Sequence, residues 1–360
     1  MLRTLTALTA LLLGAAGCAR TAGPEAAAPP PQTTRWAAIV DADAHGAIVV
    51  DGQAYRGVRR DGTTAWRRPA GEHALMAVAC AAHCPDAVLS GSVQSFTNPG
   101  VPDPRPELII GGRAHPLAGV GGHHRRVFTA AGLRDFVAAV GDGDRWRLEL
   151  HHGDRPPTRV PVDGSLPTWQ ESPDGRLALL TVAGKGAGAP AGRARWFTRG
   201  PGGWRQAATT IPGAGIDACV AADGRALLLG RSPAILHRDG RLAPVTDLEH
   251  AGACGLAAAG GVVAELAQQD GRPRARVRAF DARGAVVWRR DLPAEVAVTA
   301  DPTASRAAYL AEGTLQELDL RTGQASPPLP GVLAARYDGA GGLVTVGADR
   351  ALTWRGPAGH

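Results

Sequence analysis

The stretch "TWQESPDGRLALLTV" at residues 168–182 decides the fold, because its plan returns along the chain. A strand of small and polar residues meets an apolar strand through a turn that ends in Asp-Gly and Arg. "DACVAADGRALLLGR" at 217–231 has the same plan, and variants occur at 252–266, 298–311 and 335–347. Asp-Gly suits tight hairpins because both positions tolerate a positive φ. Such internal repetition predicts an array of β-hairpins.

Further strands follow several of these hairpins. "AILHRDG", "VRAFDARG" and "LQELDLRTG" supply third strands, and "AVVWRRDL" and "TTAWRRPA" supply fourth strands. A unit of four strands and about 40 residues has the size of a propeller blade. Long amphipathic helical patterns are absent, and the best helix candidate, "FTAAGLRDFVAAV", fits two strands around Gly132 equally well.

The number of blades follows from the turns that close each first hairpin. Candidate turns lie near eight positions: Asp43, Pro85, Gly132, Asp174, Asp223, Gly260, Thr303 and Asp338. The count favours eight blades. Seven is the alternative, because the last unit stops after its third strand at Trp354 and would need an N-terminal strand such as "RWAAIV" to close the ring. We therefore predict one all-β domain over residues 36–360, a β-propeller of seven or eight four-stranded blades.

Short sequence signatures connect the repeats to known propellers. "SPDG" before an apolar strand, "DLRTG" before a fourth strand and G-x-x-x-W endings occur within residues 36–356. In these features the body resembles WD-repeat and pyrroloquinoline-quinone-type (quinoprotein-like) repeat propellers. The resemblance implies the architecture and leaves function open, because such propellers serve as scaffolds, sensors and enzymes. Quinoprotein dehydrogenases use a vicinal disulfide and an acidic calcium site. This chain has no adjacent cysteines, so we expect no cofactor.

The chain start has the features of an export signal. Arg3 precedes the apolar run "LTALTALLLGAAG", which ends at Cys18 and is shorter than the ~20 residues that span a bilayer. "GAAGC" resembles the lipobox of bacterial lipoproteins, whose cysteine becomes the lipidated first residue. The resemblance implies a signal peptide over 1–17, lipidation at Cys18 and anchoring on the outside of a bacterial membrane. Plain secretion is the alternative. The Ala/Pro-rich segment 18–35 is typical of a flexible tether.

Four cysteines remain in the body, and an even number in an exported chain favours disulfides. Cys219 and Cys254 occupy the first strands of successive units, which run side by side in a propeller, so we predict a bridge between them. Cys80 and Cys84 flank the turn in "VACAAHCPDA", and we predict a second bridge across that hairpin. A metal site that includes His83, or a redox pair, is the alternative for this stretch.

The sequence contains no G-x-S-x-G or H-E-x-x-H motif, and we predict no catalytic or metal-binding residue. The histidine pairs at 123–124 and 151–152 are interpreted as solvated loop residues. Trp66, Trp204, Trp288 and Trp354 stand late in their strands, and we expect them to pack between sheets.

The charge pattern argues against a nucleic-acid partner. The net charge is +6, but the arginines of the chain are scattered in pairs and form no basic stripe, so we expect no nucleic-acid partner. The sequence therefore favours a membrane-anchored, extracytoplasmic propeller that binds or scaffolds a protein or cell-envelope ligand. The alternative is an enzyme with its site in the central channel, either a quinoprotein-like dehydrogenase or a propeller hydrolase or lyase.

Overall fold

The computed structural model describes residues 37–51, 54–69, 79–80, 83–90, 107–117, 124–142, 145–162, 165–183, 192–214, 217–229, 233–245, 248, 251–269, 272–292 and 296–356. Every regular element in these ranges is a β-strand. The strands form eight antiparallel sheets, and the strands of each sheet pair in chain order. We call each sheet a blade and letter its strands A to D from first to last. The described ranges hold no helix long and apolar enough to cross a membrane.

The first four blades each have four strands. Blade 1 is β1 (Ala37–Ala42), β2 (Gly46–Asp51), β3 (Ala54–Arg59) and β4 (Thr64–Pro69). Blade 2 is β5 (Ala79–Cys80), β6 (Ala87–Ser90), β7 (Glu107–Ile110) and β8 (Arg113–Pro116). Blade 3 is β9 (His124–Gly132), β10 (Asp135–Asp142), β11 (Arg145–His151) and β12 (Thr158–Val162). Blade 4 is β13 (Ser165–Glu171), β14 (Leu177–Ala183), β15 (Gly192–Gly200) and β16 (Gly203–Ala214).

Within the described residues, blades 5 to 7 have four strands each and blade 8 has three. Blade 5 is β17 (Asp217–Val220), β18 (Arg225–Leu229), β19 (Ala234–His237) and β20 (Leu242–Pro244). Blade 6 is β21 (Ala251–Ala257), β22 (Gly260–Gln269), β23 (Arg272–Asp281) and β24 (Val286–Leu292). Blade 7 is β25 (Val296–Ala300), β26 (Arg306–Ala311), β27 (Thr314–Asp319) and β28 (Leu329–Pro330). Blade 8 has three strands within the described ranges, β29 (Val332–Tyr337), β30 (Leu343–Gly347) and β31 (Leu352–Arg355).

The eight sheets confirm the propeller and the count of eight blades. Each of the eight predicted turn positions lies at or beside an A–B turn. The seven-blade alternative is wrong: the described part of "RWAAIV", residues 37–40, belongs to β1, and within the described ranges β1 pairs only with β2. The ambiguous stretch around Gly132 forms two strands, β9 and β10, with a turn at Leu133 and Arg134.

The core is divided among the seams between blades. Eight hydrophobic clusters in the described residues each join two neighbouring blades, and together they run round the ring. The cluster that closes the ring packs Ala47 and Val49 of blade 1 with Val344 and Val346 of blade 8. Each buried valine or leucine contributes about 1.5–3 kcal/mol relative to exposure. Among the described residues, side-chain packing joins blades 1 and 8 and closes the ring.

Cysteines lie at two of the seams between blades, the one between blades 5 and 6 and the one between blades 1 and 2. A disulfide joins Cys219 on β17 to Cys254 on β21, with their Cα atoms 6.0 Å apart, which confirms the predicted bridge between blades 5 and 6. Cys84 is buried and disulfide-bonded. The side chain of Cys80 lies outside the described part of the chain, so the Cys80–Cys84 pairing stays a prediction. The proposed signal peptide, Cys18 and the tether also lie outside it.

The strand ends define two faces of the ring. Because the strands of a blade alternate in direction, its A–B and C–D turns lie at the same end. Turns of neighbouring blades meet there: Gly46 in blade 1 lies against the Cys84 carbonyl oxygen, and Gly203 in blade 4 lies against the His152 ring. We call this end the AB face and the other end the opposite face.

Trp66 and Trp204 are buried between sheets as expected, and Trp66 Nε1 donates to the Pro85 carbonyl oxygen at 2.8 Å.

Candidate ligand-binding site between blades 3 and 4

A cavity of about 160 Å³ lies between blades 3 and 4 on the AB face. We call it the seam cavity. Its walls come from strand ends and turns of both blades: Thr129, Ala131, Asp135, Phe136, His151 and His152 from blade 3, and Arg199, Gly200, Gly203 and Trp204 from blade 4. At ~30 Å³ per water molecule, this space holds about five waters. The seam cavity therefore suits a small ligand or the end of a larger one.

Asp135 and His152 form a hydrogen-bonded pair at the cavity. Asp135 is the first residue of β10 and His152 directly follows β11, so the antiparallel pairing of these strands places them side by side. His152 Nδ1 lies 2.5 Å from Asp135 Oδ1. A proton on Nδ1 is donated to the carboxylate, and this fixes the orientation of the ring. No described residue hydrogen-bonds His152 Nε2, so the second ring nitrogen is available to a ligand.

His151 forms an inner wall of the cavity. Its ring stacks on that of Phe136, with centroids 3.9 Å apart, and its Nε2 lies 3.6 Å from Glu149 Oε2. Burial lowers the pKa of His151, and the charge of Glu149 opposes this effect. Glu149 is itself buried and lies 2.9 Å from Arg147 Nε.

The interpretation as a solvated loop residue is wrong for His151, whose side chain is 13% exposed, whereas His152 lies after the strand with 39% of its side chain exposed. The C strand of blade 3 ends at His151, whose side chain lines the seam cavity. The next residue, His152, forms a hydrogen bond with Asp135. His123 and the side chain of His124 lie outside the described part of the chain.

Arg199 supplies a positive charge at the rim of the cavity. It lies near the end of β15, is exposed, and its guanidinium carbon is 5.8 Å from the centroid of the Trp204 ring. Within the part of the chain that the structure describes, no carboxylate oxygen lies within 4.0 Å of this guanidinium. Apart from its electrostatic effect on Glu171, the charge of Arg199 can pair with a ligand.

Glu171 lies next to the cavity at the end of β13. Its carboxylate accepts a hydrogen bond from Trp169 Nε1 at 2.9 Å and another from the Thr129 hydroxyl. Burial raises the pKa of Glu171, and the charge of Asp41 adds to this effect. The two hydrogen bonds and the charge of Arg199 oppose it. Thr129 thus connects the wall of the seam cavity to a half-buried acid.

Other acidic side chains near the AB ends of the first (A) strands pair with residues of the same chain. Asp41 on β1 forms an ion pair with Arg336 of blade 8, with 3.1 Å between Oδ1 and a guanidinium nitrogen. Asp223, which the sequence placed at a turn, accepts from Arg225 Nε at 2.7 Å. The side chain of Asp217 lies outside the described residues. In the described ranges, no group of three or more His, Cys, Asp and Glu side chains has the arrangement of a metal site.

Comparison with known proteins supports the architecture. No family model matches this sequence, and no curated protein matches it. The structure of Sqt1 from Chaetomium thermophilum is 13% identical with a TM-score of 0.52, over 90% of this chain and 97% of that one. The fold is a β-propeller.

Two further solved structures have lower TM-scores. TolB from Acinetobacter baumannii is 14% identical with a TM-score of 0.40, over 74% of this chain, and the alignment spans 65% of the TolB chain. Dipeptidyl peptidase 4 from Porphyromonas gingivalis is 12% identical with a TM-score of 0.46, over 87% of this chain and 56% of that one. At these identities the likeness concerns the fold alone.

Proposed function

We propose that the protein is an extracytoplasmic binding module, held on the outside of a bacterial membrane by a lipid on Cys18, that presents the AB face of its propeller to a ligand. The observation that carries the binding role is the seam cavity. It combines an oriented imidazole, an arginine with no carboxylate oxygen of a described residue within 4.0 Å, and aromatic walls on a rigid frame. Turns positioned by such a frame commonly carry binding residues.

The oxidised cysteines support export. The Cys219–Cys254 disulfide and the disulfide-bonded state of Cys84 suit an oxidising compartment, because thiols in the bacterial cytoplasm are kept reduced. The basic and apolar chain start and the lipobox resemblance around Cys18 agree with this location.

Fractionation of cells tests the lipid anchor. The wild-type chain is expected in the membrane fraction and to incorporate labelled fatty acid. Cys18→Ala is expected in the soluble exported fraction without label. Retention of the Cys18→Ala protein in the membrane fraction, or labelling of it, would overturn the anchor.

Recovery of ligands from crosslinked cells tests the binding role. The wild-type chain is compared with Arg199→Gln and with Arg321→Gln, which changes an exposed arginine in the C–D turn of blade 7. We expect the same crosslinked species with the wild type and Arg321→Gln, and at least a fivefold loss with Arg199→Gln. Failure to recover any species, together with turnover of a metabolite library by the purified chain, would contradict a binding module.

The Asp135–His152 pair favours a second candidate, a hydrolase. An imidazole oriented by a carboxylate can take a proton from water as the water attacks a carbonyl carbon, and then pass it to the leaving oxygen. Turnover of an ester panel that is lost in His152→Asn would support this candidate. Absence of turnover would leave the binding role as the better account.

A further inference from the structure

The charges around the seam cavity indicate what it would bind. Arg199 has no carboxylate within 4.0 Å in the described residues, and the carboxylate of Asp135 is already bonded to His152. Glu171 receives hydrogen bonds from Trp169 and Thr129. Both acids are held by donors from the protein, and the guanidinium of Arg199, whose charge also acts on Glu171, lines the cavity with no carboxylate oxygen of a described residue within 4.0 Å.

We propose that the seam cavity binds the carboxylate group of a small monoanionic ligand, with the guanidinium of Arg199 and Nε2 of His152 as its donors. This inference rests on the binding role proposed above. A guanidinium presents paired N–H groups that match the two oxygens of a carboxylate. As an imidazolium, His152 donates from Nδ1 to Asp135 and from Nε2 to the ligand, so one ring links the two carboxylates.

The acidic neighbours select against anions of higher charge. Asp135 forms part of the cavity wall, and Glu171 is hydrogen-bonded to the wall residue Thr129. Two carboxylates this close repel a dianion about twice as strongly as a monoanion, because Coulomb energy is proportional to charge. Asp135 is paired with His152 and Glu171 is held by its two hydrogen bonds, so the guanidinium of Arg199 is left to offset one negative charge on the ligand. A monocarboxylate therefore fits the site better than inorganic phosphate.

The walls limit the remainder of the ligand. The side chains of Phe136 and Trp204 are buried but line the cavity, so they offer apolar contact beside the polar groups. A volume that holds about five waters admits a short-chain acid or the last residue of a peptide. These two sources share the same chemistry, since a free acid and a peptide terminus both present a carboxylate.

Ligand-observed NMR and calorimetry on the purified full-length chain in detergent test the proposal. The probes are acetate and propionate, the neutral propionamide, inorganic phosphate, and the tripeptide Gly-Ala-Ala with a free or an amidated C-terminus. We expect propionate to bind at least tenfold more tightly than propionamide and more tightly than phosphate. Arg199→Gln should weaken propionate binding at least tenfold, His152→Asn at least threefold, and Arg321→Gln less than twofold.

Each result either supports or overturns the inference. Tight binding of the free peptide but not of the amidated one identifies a peptide terminus as the source, whereas binding of propionate alone identifies a free acid. Equal affinity for propionate and propionamide, tighter binding of phosphate, or full binding by an Arg199→Gln protein that melts at the wild-type temperature would overturn the inference. These assays need no cellular partner, so their failure is distinguishable from failure of the binding role in crosslinked cells.

Discussion

Arg225 in blade 5 donates a hydrogen bond of 2.9 Å to the carbonyl oxygen of Ala257 in blade 6. The same guanidinium nitrogen lies 2.8 Å from the carbonyl oxygen of Ala258, and Nε bonds Asp223 at 2.7 Å. The Asp-Gly-Arg triplet that marks the repeat thus joins two blades at this seam. Arg306 in blade 7 acts in the same way, bonding Asp301 in its own turn and the Gly341 carbonyl oxygen in blade 8.

Replacement of Arg225 should weaken the ring. Arg225→Ala leaves two carbonyl oxygens of blade 6 without this donor, which should cost about 2–3 kcal/mol of unfolding free energy. Arg176→Ala changes the arginine of the same triplet in blade 4, where the side chain is exposed, and should stay within about 0.5 kcal/mol. Urea unfolding measures both. Equal effects of the two variants would show that the contact between blades contributes nothing.

The Cys219–Cys254 disulfide should be a major source of stability. It links residues 35 apart in sequence, and a loop of this size corresponds to about 3–4 kcal/mol in the chain-entropy description. The double variant Cys219→Ser with Cys254→Ser should lose about that amount in urea unfolding. The oxidised wild-type protein should release no thiol from these two positions on denaturation. Full reactivity of both thiols in the exported protein would contradict the bridge.

Stability in mild acid should depend on His151. Burial lowers its pKa from the ordinary value of 6.5, so above that pH the ring is neutral in both the folded and the unfolded chain. As the pH falls below 6.5, the unfolded chain binds the proton first, and the folded state loses stability until the pH passes the folded pKa. His151→Phe keeps an aromatic ring beside Phe136 and removes this loss. The difference in unfolding free energy between variant and wild type should therefore move in favour of the variant from pH 7.5 to pH 5. A difference that does not change with pH would refute this account of His151.

The seam between blades 6 and 7 should not accept a larger residue at Gly255. A Cβ atom there would lie 2.7 Å from the backbone nitrogen of Ala300 and 2.9 Å from its Cβ atom. Gly255→Ala should therefore cost about 1–3 kcal/mol through overpacking. Gly202→Ala is the matched control, because a Cβ at Gly202 meets nothing within 4 Å. Thermal melts of both variants make the comparison. A Gly255→Ala protein as stable as Gly202→Ala would contradict the close approach of these inner strands.

The fold could be predicted from the sequence because each blade repeats one local pattern. The turns at Asp174 and Asp223 are specified within a few residues, and the alignment of the repeats is enough to place Cys219 beside Cys254. The three described strands of blade 8 were also predicted, since the last unit reads as a third strand at Trp354. How the ring closes could not be predicted, because closure depends on packing between residues nearly 300 positions apart, such as Val49 and Val346.

The seam cavity could not be predicted in the same way. Asp135 and His152 are 17 residues apart and belong to no motif, and Arg199 comes from the next blade. Their meeting depends on how far the C–D hairpin of blade 4 reaches across the seam, which strand pattern alone does not specify. One feature of the sequence could have indicated that Asp135 and His152 lie on the same face. Asp135 follows an A–B turn and His152 follows a C strand, and both positions belong to the AB face.

Photocrosslinking from the two faces of the ring in living cells tests the central claim most directly. A photoreactive p-benzoylphenylalanine is placed at Gly202, an open position on the AB face beside the seam cavity, or at Glu312, an exposed position on the opposite face. The proposed binding role predicts a discrete adduct from position 202, lost when Arg199→Gln is added and absent from position 312. Adducts only from position 312, or no adduct from position 202 in a chain that is exported and folded, would contradict it.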